Sequence, residues 1–246
     1  MTSDPTTGGV RLSATILIVR DDPLEVLTVR RHAHATFASA IVFPGGVVDE
    51  ADRSEEWLPL VSGADDLGPN ERAIRIAGIR ETYEETSLLL AHLPDGGHVA
   101  QPAAPHPTFR ETVRASGGTL ALDDIRPFGH WITPEGPPKR FDTRFLLARA
   151  PRNQTAVADG VETVDIEWAR PSALIERAQA GERAIMLPTY ANLLRLAESE
   201  DADEAFRKAA GITPYPVIAW QETLPDGTRV HVIPAEAAYG FTEFPA

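Results

Sequence analysis

The 246-residue chain contains no cysteine and only two methionines. The absence of cysteine excludes disulfide bonds, thiolate nucleophiles and cysteine-ligated metal sites. Apolar runs of 18 residues are also absent, so the sequence predicts no transmembrane helix. Several catalytic motifs are missing too, since there is no Gly-x-Gly-x-x-Gly, no Walker lysine loop, no Gly-x-Ser-x-Gly and no His-Glu-x-x-His. We therefore look for function among the carboxylates, arginines and glycines.

Basic side chains are scarce relative to acidic ones. The chain has 23 lysines and arginines against 36 aspartates and glutamates, which gives a formal net charge of −13. This balance argues against nucleic-acid binding, which needs a basic face. We also expect no membrane association. Residues 1–9 are polar and resemble no signal pattern, so we predict a flexible tail there and a cytoplasmic location.

Carboxylates cluster within residues 80–88. If this segment is helical, Glu81, Glu84 and Glu85 lie on one face at the spacing i, i+3 and i+4. Like charges this close repel one another, whereas Mg²⁺ is commonly held by one or two carboxylates and the phosphates of a substrate. The alternative is a solvated glutamate face, in which Arg80 pairs with Glu84.

A Phe43-Pro44-Gly45-Gly46 segment precedes this cluster. Residues 40–43 suit a short strand, and Pro44 is expected to end it in a turn. Glycines allow another group to approach the backbone closely. Asp49 and Asp52 follow this segment.

Together these segments resemble the signature of the Nudix hydrolases, in which a glycine and a glutamate precede Arg-Glu-x-x-Glu-Glu. Aligned on Gly46, the first acidic position falls on Asp52 instead of glutamate, and Ser87 replaces the usual final glycine. The 27 residues from Arg53 to Ile79 stand where seven are usual. A long surface insertion need not disrupt the site, because the entropy of loop closure grows only logarithmically with length.

The split signature also resembles one branch of the family, the peroxisomal coenzyme A diphosphatases of animals and their bacterial relatives. Residues 43–52, 131–134 and 140–145 carry this resemblance. A second motif of that branch is matched only in part: residues 26–30 fit its start, but Arg31, Ala35 and Ser39 occupy its Ser/Ala, Arg and Gly positions. Coenzyme A or acyl-coenzyme A is therefore our first substrate hypothesis, and ADP-ribose or NADH is the alternative. A non-catalytic Nudix-like binding module is the alternative from another class.

The resemblance implies a set of site residues for metal-assisted hydrolysis of a diphosphate. The implied ligands of Mg²⁺ or Mn²⁺ are Glu81, Glu84, Glu85 and the carbonyl group of Gly46. The candidate catalytic residues are Glu84, Glu81, Arg80 and Glu162, with Glu167 as a second possible general base. The candidate substrate-binding residues are Arg30, Arg31, Gly45 and Gly46.

The fold implied by the resemblance is an α/β/α sandwich with a mixed β-sheet. We place the Nudix domain at residues 10–204, with an insert at 53–70. Its carboxylate-bearing helix is predicted to run from an Asn70 N-cap to about Thr86, and a strand is predicted to begin at 88–92. Residues 205–246 are predicted to form an extension packed on the domain, with a helix and a hairpin of strands at 216–221 and 228–233 around Pro225-Asp226-Gly227. The resemblance further implies a homodimer, in which the insert or the hairpin would form the interface.

Overall fold

The computed structural model describes residues 9–31, 40–103, 106–160 and 163–245, without the side chains of Arg31 and Val164. Residues 1–8 of the expected tail lie outside the described residues, as does the candidate base Glu162. Within the described ranges, no helix has the length and apolar character that crossing a bilayer requires.

The described chain contains fourteen strands and five α-helices. The strands are β1 (Val10–Arg20), β2 (Glu25–Arg31), β3 (Ile41–Val42), β4 (Gly45–Val47), β5 (Val61–Ser62), β6 (Ala91–His92), β7 (Thr119–Ala121), β8 (Arg126–Ile132), β9 (Arg140–Arg149), β10 (Thr163–Ala169), β11 (Pro216–Val217), β12 (Trp220–Thr223), β13 (Arg229–Val232) and β14 (Glu243–Pro245). The helices are α1 (Pro69–Thr86), α2 (Phe109–Ser116), α3 (Pro171–Gln179), α4 (Leu187–Ala197) and α5 (Ala202–Ala210).

A mixed sheet organises the molecule, with the order β10-β2-β1-β9-β8-β11. Its central strand β1 is apolar on both faces, and Ile16 to Val19 are fully buried. This pattern suits a strand covered on both sides. β1 runs parallel to β9 and antiparallel to β2 and β4. The prediction of a mixed sheet is therefore confirmed.

Helices cover both faces of this sheet. On one face, Gly78 of α1 lies against Ile16 and Ala14, so the helix backbone approaches β1 closely. On the other face, Leu17 and Val19 belong to a cluster that includes residues of α3, α4 and α5. The predicted α/β/α sandwich is confirmed, and α1 lies directly above the strand that pairs with β4.

Two local predictions around the carboxylate cluster need correction. Gly45 and Gly46 lie in strand β4, not in a turn, because they pair with Thr15 and Ala14 of β1. Helix α1 has Gly68 as its N-cap, with Pro69 in its first turn. Asn70 is therefore inside the helix, and its side chain accepts a hydrogen bond from Arg53 at 2.8 Å.

The strand predicted at 88–92 is also shorter than expected. Only Ala91 and His92 form β6. The backbone of Leu89 bonds instead to the side chain of Gln154, at 2.8 Å through its amide and at 3.0 Å through its carbonyl. A side chain thus satisfies the groups that a neighbouring strand would otherwise satisfy.

The insert at 53–70 is folded against the domain. It contains a 3-10 helix, Glu55–Leu60, and strand β5, which joins a three-stranded sheet in the order β5-β7-β6. Trp57 is buried, with its ring centroid 5.6 Å from that of Phe109 in α2. The two halves of the signature are therefore linked by packed structure.

The C-terminal segment contributes to the main sheet as well as to a sheet of its own. β12, β13 and β14 form a three-stranded sheet, and the predicted hairpin corresponds to its β12 and β13. The strand expected from Pro216 divides in two, because Pro216 and Val217 pair with β8 instead. The proposed domain boundary at 204/205 falls inside α5.

Candidate active site

Arg80 is the centre of the polar cluster at β4 and α1. Its Nε and Nη2 atoms donate to the two carboxylate oxygens of Asp52, both at 3.0 Å. Nη1 donates to Glu81 at 2.8 Å and to Glu84 at 2.9 Å, and Nη2 also donates to the Val47 carbonyl at 2.9 Å. One guanidinium group therefore joins the helix, strand β4 and the residues that follow β4.

Asp52 is almost completely buried, with 1% of its surface exposed. Besides Arg80, it accepts a hydrogen bond from the Asp49 amide at 2.8 Å, which closes a capping box on the 3-10 helix Glu50–Arg53. Arg80 and Asp52 therefore form a bidentate pair. Such a fork-like pair fixes orientation as well as charge.

Strand β4 is held closely against α1 by its two glycines. The Gly45 amide donates to the buried carboxylate of Glu85 at 3.1 Å. A Cβ atom on Gly46 would lie 2.4 Å from the carboxylate carbon of Glu81, and one on Gly45 would lie 2.3 Å from the Ala14 carbonyl oxygen. A side chain at position 46 would therefore displace the Glu81 carboxylate.

The electrostatics of the cluster follow from this crowding. Burial acts to lower the pKa of Arg80, but its hydrogen bonds and the charges of Asp52, Glu81 and Glu84 outweigh burial, so the pKa is raised. Burial raises the pKa of the Glu84 carboxyl, and Arg80 offsets this only in part. Arg80 thus remains charged among carboxylates that would otherwise repel one another.

The donor groups suit a hard divalent cation, although their side chains do not converge on one point. Carboxylate oxygens of Glu81, Glu84 and Glu85 and the backbone of Gly46 are the oxygen donors that Mg²⁺ or Mn²⁺ prefers. Among the described residues, no three His, Asp or Glu side chains form a converged metal-binding group. The reason is visible here, since Glu81 and Glu84 are directed towards Arg80 and Glu85 towards Gly45.

The remaining predicted site residues lie elsewhere or outside the described residues. Arg30 is on β2, where its Nη2 atom forms an ion pair with Asp165 at 3.2 Å. Glu167 on β10 pairs with Arg177, so it is not directed at the carboxylate cluster. Neither the side chain of Arg31 nor any part of Glu162 is described. The assignment of a general base therefore stays a prediction.

Two functional contributions were not anticipated from the sequence. The Val47 carbonyl accepts from Arg80, a contact that no side-chain motif could indicate. Ser87, in the position of the usual final glycine, is the C-cap of α1 with a φ of 61°. This left-handed conformation explains why glycine suits the position. The sequence signal for this cap was the end of the helical pattern at Thr86, directly before Ser87.

The chain resembles known proteins in sequence and in fold. No family model matches the chain. It is 27% identical to acyl-coenzyme A diphosphatase NUDT19 of Gallus gallus over 70% of its length, and 28% identical to putative nudix hydrolase 7 of Caenorhabditis elegans over 80%. These alignments span 61% and 64% of those two relatives, so the chain matches less than two thirds of each.

A solved structure gives a more complete match. The Nudix hydrolase of Alicyclobacillus acidocaldarius superimposes with a TM-score of 0.69 and 29% identity, over 81% of this chain and 96% of the other. The sandwich, the split signature and these likenesses agree. The chain is similar to the Nudix hydrolases in sequence and in fold, with a resemblance to their acyl-coenzyme A diphosphatases.

Proposed function

We propose that this protein hydrolyses a diphosphate linkage in a nucleoside diphosphate derivative and depends on a divalent metal, Mg²⁺ or Mn²⁺. The observation that carries the proposal is the set of three carboxylates, Glu81, Glu84 and Glu85, held on α1 beside the backbone of Gly45 and Gly46. A binding module would not need three like charges on one helix face, because their mutual repulsion is unfavourable.

The substrate of first choice is coenzyme A or acyl-coenzyme A. Two features support it: the segments 131–134 and 140–145, and the likeness to a relative named as an acyl-coenzyme A diphosphatase. ADP-ribose and NADH remain the alternative substrates. The partial match of residues 26–39 to the coenzyme A motif is the reason for keeping them.

The residues of the cluster would either hold the metal or position the residues that hold it. Glu81, Glu84, Glu85 and the Gly46 carbonyl would hold the metal, which would neutralise phosphate charge and acidify a bound water. Arg80 keeps the carboxylates of Glu81 and Glu84 close together before substrate arrives, and Asp52 fixes the plane of the Arg80 guanidinium. Glu85 positions β4 through the Gly45 amide.

The test is turnover of a panel containing coenzyme A, an acyl-coenzyme A, ADP-ribose and NADH, with Mg²⁺ or Mn²⁺ and products identified by mass. Glu84→Gln should lower turnover about 100-fold or more, because a metal contributes several kcal/mol to such reactions. Glu236→Gln is the matched control at an exposed position, and its turnover should stay within about 2-fold of wild type.

Two results would contradict the proposal. Unchanged turnover in Glu84→Gln, with the fold verified by circular dichroism, would remove the assignment of this metal ligand. Binding of panel compounds without turnover of any would favour the non-catalytic module. A homodimer and a cytoplasmic location are part of the same proposal, and light scattering would test the first.

A further inference from the structure

A small cleft lies between strands β2, β3 and β10 and the segment that follows α3. Its charged lining residues are Arg30, Asp165, Glu167 and Arg183, and Ile41 of β3 also lines it. Arg183 was not among the residues selected from the sequence, because a lone arginine in a connecting segment has no distinguishing pattern.

The charges in this cleft are compensated except at Arg183. Asp165 pairs with Arg30, and Glu167 pairs with Arg177. Arg183 is exposed and forms no hydrogen bond or ion pair with any residue that the structure describes. The Nε atom of Arg30 is also buried without a hydrogen-bond partner among those residues. Two guanidinium groups thus retain unused donors at one cleft.

The position of Arg183 is fixed by the strand that leads to the carboxylate cluster. The Ile41 amide donates to the Ala184 carbonyl at 3.1 Å, and Ile41 forms a parallel bridge with Ile185. The segment carrying Arg183 therefore lies alongside β3. Gly46 is five positions after Ile41, so their Cα atoms are at most about 18 Å apart. An extended nucleoside diphosphate derivative can reach both residues within that limit.

The negative charge of the protein makes an arginine in the cleft, unpaired among the described residues, a candidate for binding an anion. The chain has a formal net charge of −13, and carboxylates crowd the site where the diphosphate would bind. A further phosphate on the same substrate needs a cation away from those carboxylates. Guanidinium groups bind phosphate with paired, charge-assisted hydrogen bonds.

We propose that Arg183 is a specificity-determining residue that binds a phosphate monoester on the nucleoside end of the substrate, with Arg30 as the second donor. This inference rests on the proposed function, because it assigns a further contact to the same diphosphate substrate. Among nucleoside diphosphate derivatives, Arg183 would favour those that carry an additional phosphate on the ribose.

Two substrates that differ only in this phosphate test the proposal: coenzyme A and 3′-dephospho-coenzyme A. Arg183→Ala should lower kcat/KM for coenzyme A about 10-fold or more, mainly through KM, because it removes charge-assisted hydrogen bonds to the phosphate. The same substitution should change kcat/KM for the dephospho compound less than about 3-fold. Arg183→Lys, which keeps the charge, should fall between wild type and Arg183→Ala.

Arg229→Ala is the matched control, because it removes one exposed positive charge from β13, outside the cleft. It should leave the ratio of kcat/KM values for the two substrates unchanged. An equal change for both substrates in Arg183→Ala, or no change for either, would overturn the assignment of Arg183.

A binding measurement separates this proposal from the proposed function. Calorimetry with adenosine 3′,5′-bisphosphate and with AMP needs no turnover. Wild type should bind the bisphosphate about 10-fold more tightly than AMP, and Arg183→Ala should lose that preference. Equal affinity of wild type for the two nucleotides would contradict the Arg183 assignment. Absence of turnover with the preference intact would contradict only the proposed hydrolysis.

Discussion

Arg80 and Arg195 are both largely buried, but their surroundings are chemically opposite. Arg80 bonds to the carboxylates of Asp52, Glu81 and Glu84. Arg195 on α4 donates to the carbonyls of Phe128 and Ala237, both at 2.7 Å, and lies 3.7 Å from the centre of the Tyr239 ring. Its partners are neutral.

The difference in partners distinguishes a candidate active site around Arg80 from a structural contact around Arg195. Around Arg195, Nη1 and Nη2 each donate to a buried backbone carbonyl, so this side chain joins the C-terminal segment to α4 and β8. Around Arg80, one cation faces several anions, so negative charge remains available to a second cation. If this contrast is correct, substitutions in the two regions should affect stability and turnover differently.

The largest expected effect follows from Arg80→Ala. This substitution leaves the Asp52 carboxylate buried without its cation, which should cost about 3–5 kcal/mol in the free energy of unfolding. The double variant Arg80→Ala/Asp52→Asn should recover much of that stability, yet its turnover should stay low because Glu81 and Glu84 are no longer held together. Urea unfolding and a turnover assay measure the two quantities, and recovery of both would contradict a positioning role.

Arg195→Ala should destabilise by about 2–4 kcal/mol, since it leaves two buried carbonyl acceptors unsatisfied. Turnover per folded molecule should change little. Urea unfolding measures the loss of stability, and an activity assay at urea concentrations below the unfolding transition measures turnover. Arg207→Ala is the control at an exposed position. Should the alanine variant not fold, Tyr239→Phe removes only the hydroxyl that accepts from Trp131 at 2.9 Å. A large loss of turnover in folded protein would break the comparison.

Gly46→Ala should act on the site more than on the fold. The new Cβ atom meets the end of a flexible side chain, so the Glu81 carboxylate can move away while the strand persists. Misplacement of a catalytic group by about 1 Å can cost about 100-fold in rate. Gly68→Ala is the control, because nothing lies within 4 Å of its added Cβ. Kinetics should show a large loss of rate in Gly46→Ala but not in Gly68→Ala. Thermal melting should show only a small change in Tm for Gly46→Ala.

The smallest expected effect is a gain in stability from Ser87→Gly. Ser87 has a φ of 61°, a conformation that costs an L-residue more than glycine, and its weak hydroxyl contact to Val157 is 3.4 Å long. The net gain should be about 0.5–1 kcal/mol. Gly117→Ser, at the equivalent cap of α2 with a φ of 72°, should produce a loss of similar size. Chemical unfolding of both variants would check the pair.

Local patterns account for what the sequence could predict. The carboxylate face of α1 and its end at Thr86 depend on helical spacing and a cap, which neighbouring residues determine. The bidentate pair of Asp52 and Arg80 was harder to predict, because its members are 28 positions apart and the insert changes the usual spacing of the signature. Gly45 and Gly46 were assigned to a turn because a three-residue strand is recognisable only from its pairing with β1.

The same limit explains the errors at 88–92 and at Pro216. In both places the apolar pattern was present, but the partner of the backbone was distant in the sequence: Gln154 in one case and β8 in the other. An apolar pattern indicates that a strand is possible. Only the fold decides which segment that strand pairs with. Arg183 belongs to this group as well, since its position depends on the bridge between Ile41 and Ile185.

The pairing of β11 with β8 has a consequence for handling the protein. β8 would otherwise present an open edge of the main sheet, and open edges are templates for aggregation. Within the described part of the chain, only Pro216 and Val217 pair with this edge, and the proline has no amide hydrogen to offer a further strand. A shortened chain that lacks these two residues would therefore retain most of its core and still precipitate through β8.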